Sequence, residues 1–380
     1  MKKHTAIAVL QSSPKAGYLS HRRLVDSAIH RVLESGYYIL GREVTSFEKE
    51  FAKYLGVKCA VGVANGTDAL ELALRACGVG KGDLVATVSH TAVATVAAIE
   101  LCGATPVFID INPETYTMDP ASLAAALAKC PKGRAKAVIP VHLYGQPADM
   151  PAILKIARSY GLKVVEDCAQ AHGAMLDNRV LGCWGDIAAF SFYPTKNLGA
   201  LGDAGAIATN NPALSERVRL LQQYGWKKRY VSDIPGKNSR LDEIQAAVLR
   251  IKLRYLNKEN TRRQKIAGLY TELLYKTGLG LPGVKDRVRH VFHQYVIRTK
   301  NRDALAEYLE SAGIKTLIHY PQPIHLQPAY YGRIKTYVSL SNTENAAKEI
   351  LSLPMYPELQ KKCVRYAALK ILDWLSLVKK

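Results

Sequence analysis

Over the first two thirds of the chain, short apolar runs alternate with stretches whose apolar residues recur every three or four positions. That recurrence lines one face of a helix, whereas an unbroken apolar run bounded by turn residues suits a strand covered on both faces. The spacing predicts helices over 24–35, 44–55, 66–76, 93–101, 122–128 and 150–160, interleaved with short strands such as 60–63 and 163–165. This rhythm predicts an α/β fold with a mainly parallel sheet flanked by helices. Beyond it, a helical stretch opens over 242–255, VFHQYVIRT reads as a strand, and 302–312 and 343–351 read as helices, giving a smaller α+β unit. The expected organisation is a large domain over 1–250 and a small C-terminal domain over 251–380, with the boundary inside a helix that can belong to both.

Composition fits this picture. With 380 residues, 48% of them apolar, the chain can bury one large core and one smaller one. No stretch approaches the roughly 20 apolar residues that span a bilayer. The TAIAVL run follows lysines but is short for a secretory leader and lacks a small-residue cleavage site, so a cytoplasmic protein is expected. Seven scattered cysteines without a close Cys-x-x-Cys pair argue against a disulfide framework and a structural zinc site, and no metal is expected.

Candidate chemistry concentrates in three segments. SFYPTKNLGALGDAG, 191–205, sets Lys196 between an apolar run and a glycine-rich turn. Such a lysine can condense with the aldehyde of pyridoxal phosphate, although an isolated lysine in a turn is more often solvated. LKVVEDCAQAHGA ends a strand on Glu166 and Asp167, at the sheet edge where open α/β folds bind ligands. A carboxylate there can hold the ring nitrogen of that cofactor protonated, and Asp167 is assigned this role. Gln170 is assigned to the ring oxygen; the bland alternative is an ordinary solvated strand end. His172 receives no role, and His90 stays unassigned between a place near the cofactor and a strand end. In VGVANGTDALELALRA, a strand meets Asn65-Gly66-Thr67-Asp68 and a helix, whose first turn can bind phosphate or be capped by Thr67 or Asp68. The glycine spacing matches neither a dinucleotide fingerprint nor a Walker motif.

GTDAL, VEDCAQAHGA, SFYPTKNLGALGDAG and GKNSRLDEIQAAVL occur in the order and spacing of the DegT/DnrJ/EryC1/StrS aminotransferases, which the chain resembles over nearly its whole length. The resemblance implies a fold-type I enzyme that uses pyridoxal 5'-phosphate to aminate nucleotide-linked keto sugars. It implies that Lys196 forms the Schiff base, Asp167 and Gln170 contact the ring, and Gly66, Thr67 and Ser191 bind the phosphate. Asn238 would reach that phosphate from the neighbouring subunit, which implies a homodimer with shared active sites. SHTAVATVAAIE, FIDINPETYTMDP, VHLYGQPADM, YGWKKRYVSDIPGKNSRLDE and IKTLIHYPQPIHLQPAY resemble the branch acting at carbon 3 of dTDP-linked 3-keto-6-deoxy sugars, with glutamate the expected donor. Two departures stand out: Ala92 replaces an aromatic residue that packs on the cofactor, and the chain start lacks the Pro-Phe-Leu-Asp-Leu opening.

Charge adds one question. Fifty-two Lys and Arg against 32 Asp and Glu give a formal net charge of +20, which suits either nucleic acid or an anionic small molecule. Lys227, Lys228, Arg229, Lys237 and Arg240 share one loop beside Asn238, so a sugar-nucleotide diphosphate is the favoured anion and no nucleic acid is expected. Ser239 and Arg240 are candidate substrate contacts, with pairing of Arg240 to Asp242 the alternative. Arg250, Arg254 and Lys258 mark one helix face, read equally well as a solvated surface. Tyr320 and His325, in the proline-constrained IHYPQPIH loop, are further substrate candidates, as is Tyr38; the alternative is a plain surface loop. Three rivals remain: a carbon-4 or acetamido-sugar aminotransferase, a dehydratase, which Lys196 disfavours because that branch has histidine there, and a nucleic-acid-binding regulator on the same fold.

Overall fold

A computed structural model describes residues 9–378; residues 5–8 of the TAIAVL run, and with them most of the segment weighed as a leader, lie outside the described residues. Among the described residues, no helix is long and apolar enough to cross a membrane. Seven strands form the central sheet in the order Cys59–Val63, Gly205–Thr209, Ile187–Ser191, Lys163–Asp167, Ala135–Ile139, Leu84–Val88 and Thr105–Ile109. Gly205–Thr209 runs antiparallel to both its neighbours, and the other pairings are parallel. The mainly parallel sheet is therefore as expected, and its strand ends bring Asp167 and Ser191 to one edge.

Local chemistry explains where the helices begin. Pro14–Ser35, Pro120–Lys129, Met150–Ser159 and Pro212–Leu221 carry a proline in their first two positions, and Ser13, Asp119, Asp149 and Asn211 accept a first-turn N–H. The first helix thus starts ten residues before the expected 24–35, because its first turns are polar and largely exposed and give little apolar signal. Arg42–Leu55 begins on Gly41, which has no capping side chain. The buried Glu243 replaces it, accepting N–H bonds from Gly41, Glu43 and Val44 at 2.8–2.9 Å. The helix Gly66–Ala76 is capped by neither Thr67 nor Asp68, the alternative to a phosphate site there, but by Asn65, whose Oδ1 accepts Asp68 N–H at 2.8 Å.

Packing centres on two large apolar clusters, beside two small ones around Val25, Val32 and Val248 and around Phe108, Ile324 and Tyr330. The larger covers the central sheet and includes Phe47, Phe51, Phe190 and Phe192, whose rings meet at centroid separations of 5.0–5.4 Å. The smaller surrounds the paired strands Tyr295–Arg298 and Ile350–Leu353 and draws in Tyr270, Leu305, Leu309, Ile371 and Trp374, together with Val9 from the chain start. The helix expected over 343–351 stops at Glu349, because Ile350 and Leu351 turn extended to pair with Arg298 and Ile297. Lys361–Val378, which the sequence reading did not include, packs on the long Leu256–Leu274 helix. We propose a two-unit division near residue 250 from this grouping: Leu249, Leu253 and Leu256 still pack in the larger cluster and Ile266 in the smaller.

Candidate active site

Alternation along Lys163–Asp167 sends its last two carboxylates to opposite faces, although both are buried. Glu166 accepts N–H bonds from Gly182, Trp184 and Gly185 at 2.7–2.9 Å and faces His142 Nε2 at 3.2 Å. Burial opposes its charge, but His142 and these N–H groups outweigh it and hold its pKa below the usual range. Glu166 is therefore a structural anchor. His142, Glu166 and Cys168 lie close enough to suggest a metal, yet Glu166 is saturated and His142 Nδ1 already accepts Ala148 N–H.

Asp167 is different. Among the described residues its two oxygens accept only the Ala169 N–H at 3.1 Å and the Thr95 hydroxyl at 2.9 Å. Burial pushes its carboxyl up, opposed by those two bonds and by the charge of Lys196. A carboxylate has room for about four hydrogen bonds, so this one is short of donors and suits a cationic N–H partner.

Lys196 stands in the turn after Ile187–Ser191, its own N–H bonded to Tyr193 O at 2.8 Å. Among the described residues no hydrogen bond or ion pair holds its Nζ; burial, offset by Asp167, pushes its pKa down to about 8. His172 and His319 are near enough to feel its charge, but burial pushes them to about 3 and about 4, so they stay neutral beside it. His293 is likewise driven well below its usual value by burial. It faces Asn197 Oδ1 at 3.2 Å, and Asn197 Nδ2 donates to Asn260 Oδ1 and Val291 O, bracing the turn that carries Lys196. These bracing residues come from the segment between the Val288–Arg289 and Tyr295–Arg298 strands and from the Leu256–Leu274 helix, remote in sequence, so no local motif marks them.

The phosphate-type cradle forms where Gly66–Ala76 meets Ser191. A Cβ built on Gly66 would lie 2.6 Å from Ser191 Cβ, so only glycine allows this approach. With Asn65 capping Asp68, the Gly66 and Thr67 N–H groups have no acceptor among the described residues and sit at the positive end of the helix beside the Ser191 hydroxyl.

Gln170 is held beside this group by Tyr144 and Tyr320. The other candidates fall elsewhere. Ser239 is fully buried, with its hydroxyl accepting Ala64 N–H at 3.1 Å; within the chain it is a brace, not an open contact. His325 is nearly covered, with ring nitrogens facing Ser89 Oγ at 2.7 Å and Glu344 at 3.3 Å, so it anchors its loop. Tyr38 and Asn238 are exposed and make no hydrogen bond to the Lys196 group within one chain. Arg240 forms no ion pair with Asp242 among the described residues, whereas Lys237, counted in the basic loop, is committed to Asp68 and Glu71 at 2.6 and 2.8 Å. Arg250, counted in the basic stripe, is likewise paired with Glu43 and Glu50.

A cradle for phosphate, a donor-poor carboxylate and a lysine of lowered basicity together fit pyridoxal phosphate. The chain matches the DegT/DnrJ/EryC1/StrS aminotransferase family over residues 21–371. It belongs to that family. It is 46% identical to a dTDP-3-amino-3,4,6-trideoxy-alpha-D-glucose transaminase of Streptomyces venezuelae over 94% of this chain and 93% of that one. A UDP-N-acetyl-3-dehydro-alpha-D-glucosamine 3-aminotransferase of Acidithiobacillus ferrooxidans is 42% identical over 95% and 96%. The crystal structure of S. venezuelae DesV with a ketimine intermediate superposes with a TM-score of 0.93 at 45% identity, covering 97% of this chain and 98% of that one. The protein is thus a fold-type I aminotransferase that depends on pyridoxal phosphate.

The lowered basicity of Lys196 gives a pH prediction. Only the neutral amine attacks an aldehyde, so attachment of pyridoxal phosphate to the cofactor-free protein, followed by absorbance, should speed up as pH rises through about 8. A midpoint near the ordinary lysine value of about 10.4 would contradict the burial argument.

Proposed function

We propose that this aminotransferase moves an amino group from glutamate to carbon 3 of a dTDP-linked 3-keto-6-deoxy sugar. The observation that carries the substrate class is near-full-length similarity to the S. venezuelae dTDP-3-amino sugar transaminase. It agrees with the YGWKKRYVSDIPGKNSRLDE and IKTLIHYPQPIHLQPAY segments.

In this reading Gly66 N–H, Thr67 N–H and the Ser191 hydroxyl hold the cofactor phosphate, and Asp167 keeps a proton on the ring nitrogen. Bound there, the cofactor supplies an electron sink for the carbon that loses a proton. Lys196 is its covalent anchor and, once released, carries a proton to and from the reacting carbon, a task suited to an amine with a pKa near working pH. Gln170 meets the ring oxygen. Arg240, which among the described residues lacks the pairing that occupies Lys237, is the charged group of the basic loop assigned to the sugar nucleotide, with Tyr38 and Tyr320 as further contacts. Asn238 and Ser239 lie on a segment whose exposed member, Asn238, completes the phosphate site of a second subunit in a homodimer.

Incubation with glutamate and a panel of keto-sugar nucleotides tests the substrate. The expected product carries the amine at carbon 3 of the dTDP 3-keto-6-deoxy sugar, read by NMR. Amination solely at carbon 4 or solely of a UDP-linked acetamido sugar would replace this substrate class. The shared site has its own test. Lys196→Ala and Asn238→Asp subunits, each inactive alone, should recover activity after subunit exchange, because one site in each heterodimer regains both groups. Verified heterodimers without activity would contradict it.

A further inference from the structure

The loops that leave the strands Thr105–Ile109 and Ala135–Ile139 enclose, with the 285–288 segment, a cavity of about 200 Å³ at the carboxyl edge of the sheet. None of Lys196, Asp167, Gln170, Ser191 and Gly66 lines it. Its buried wall includes Thr117 and Gln146, and Asp149, Lys285 and Arg287 stand at its exposed rim.

Gln146 lacks the compensation that a buried polar side chain needs. It is 4% exposed and its backbone N–H is bonded to Leu143 O at 2.9 Å, yet its carboxamide oxygen has no donor among the described residues. Burying an amide oxygen unpaired is costly, and the turn that carries it is fixed in place. Gly145 has φ +91°, a Cβ on it would lie 2.8 Å from Val291 Cγ2, and its carbonyl accepts the Val291 N–H at 3.2 Å. The carboxamide is thus held on the cavity wall as an acceptor in want of a donor.

The rim adds charge of both signs. Asp149 Oδ1 accepts the Ala152 N–H at 3.3 Å, which leaves its other oxygen for a second donor. Neither Asp149 nor Lys285 belongs to an ion pair among the described residues, whereas Arg287 is committed to Asp177. A ligand with a single charge would match one of the two unpaired groups and not the other. The volume is below the roughly 300–1,000 Å³ of sites for drug-sized ligands, which excludes a sugar nucleotide.

We propose that this cavity is a binding site for a free α-amino acid, separate from the Lys196 site where the amino donor reacts. The carboxylate of the ligand meets Lys285, and its ammonium, with three N–H donors, meets Asp149 and reaches inward to Gln146 Oε1. The assignment is independent of which keto sugar the enzyme aminates.

Calorimetric titration of the holoenzyme with the common L-amino acids tests it, after borohydride reduction so that the Lys196 group no longer exchanges with them. At least one amino acid should bind saturably at millimolar concentration or below. Its N-acetyl derivative, without the ammonium, and its methyl ester, without the carboxylate, should each bind about tenfold more weakly, the scale of one hydrogen bond to a charged group. Asp149→Asn, which keeps a capping oxygen, should weaken the amino acid by the same factor and the N-acetyl derivative no further; Lys285→Ala should do so for the ester. Both positions are exposed, so both variants should fold. Gln146→Leu should weaken the amino acid and the ester alike. No saturable binding, or binding indifferent to Asp149→Asn and Lys285→Ala, would overturn the proposal, as would inorganic phosphate or glucose binding at these residues in place of an amino acid. Protein that gains no pyridoxyl group on reduction would contradict the cofactor reading alone, because the same variants read this cavity in the unreduced protein.

Discussion

The site depends on two consecutive carboxylates buried at the end of one parallel strand. Strand alternation forces Glu166 and Asp167 to opposite faces, and neither can be buried without compensation. Glu166 finds it within the protein, in three backbone N–H groups and His142, and so pins the 182–185 loop to the sheet. Asp167 finds only part of it, in Thr95 and Ala169. The unspent capacity of Asp167 is the chemical reason for proposing a cationic ring nitrogen there, and its charge also moderates the loss of basicity at Lys196.

A second constraint is closeness. Gly66 lets the start of a helix touch Ser191, and Gly205 lets the adjoining strand pass Asn65 O, where a Cβ would come within 2.4 Å. Small residues therefore set the distance between the phosphate cradle and the lysine turn. The lysine turn is in turn braced by the neutral side chains of Asn197, Asn260 and His293.

The parts of this arrangement legible in the sequence were those written locally. Gly66–Ala76 and Val93–Leu101 match the periodicity to the residue, because capping and apolar spacing act within a few positions. Lys196, Asp167 and Gln170 were marked by short motifs, and the structure gathers them with Tyr320. What could not be read were partnerships across the chain. Glu243 caps a helix about 200 residues away, and Lys237 meets Glu71 across 166 residues. Arg250 reaches Glu50 across 200. Such pairings turn Lys237 and Arg250 of the apparently free basic surface into internal braces, and contacts of the same long range take Ser239 and His325 out of open solvent. The missed C-terminal helix and the overlong 343–351 helix have the same origin, since tertiary packing decides them.

Covalent attachment at Lys196 is the claim on which the chemistry turns. Borohydride reduction of the protein with its cofactor bound, followed by peptide mapping, measures it directly. The account predicts a reduced pyridoxyl group on the peptide containing Lys196 and its loss in Lys196→Ala. A pyridoxyl group on another lysine, or none on protein that still transaminates, would contradict it.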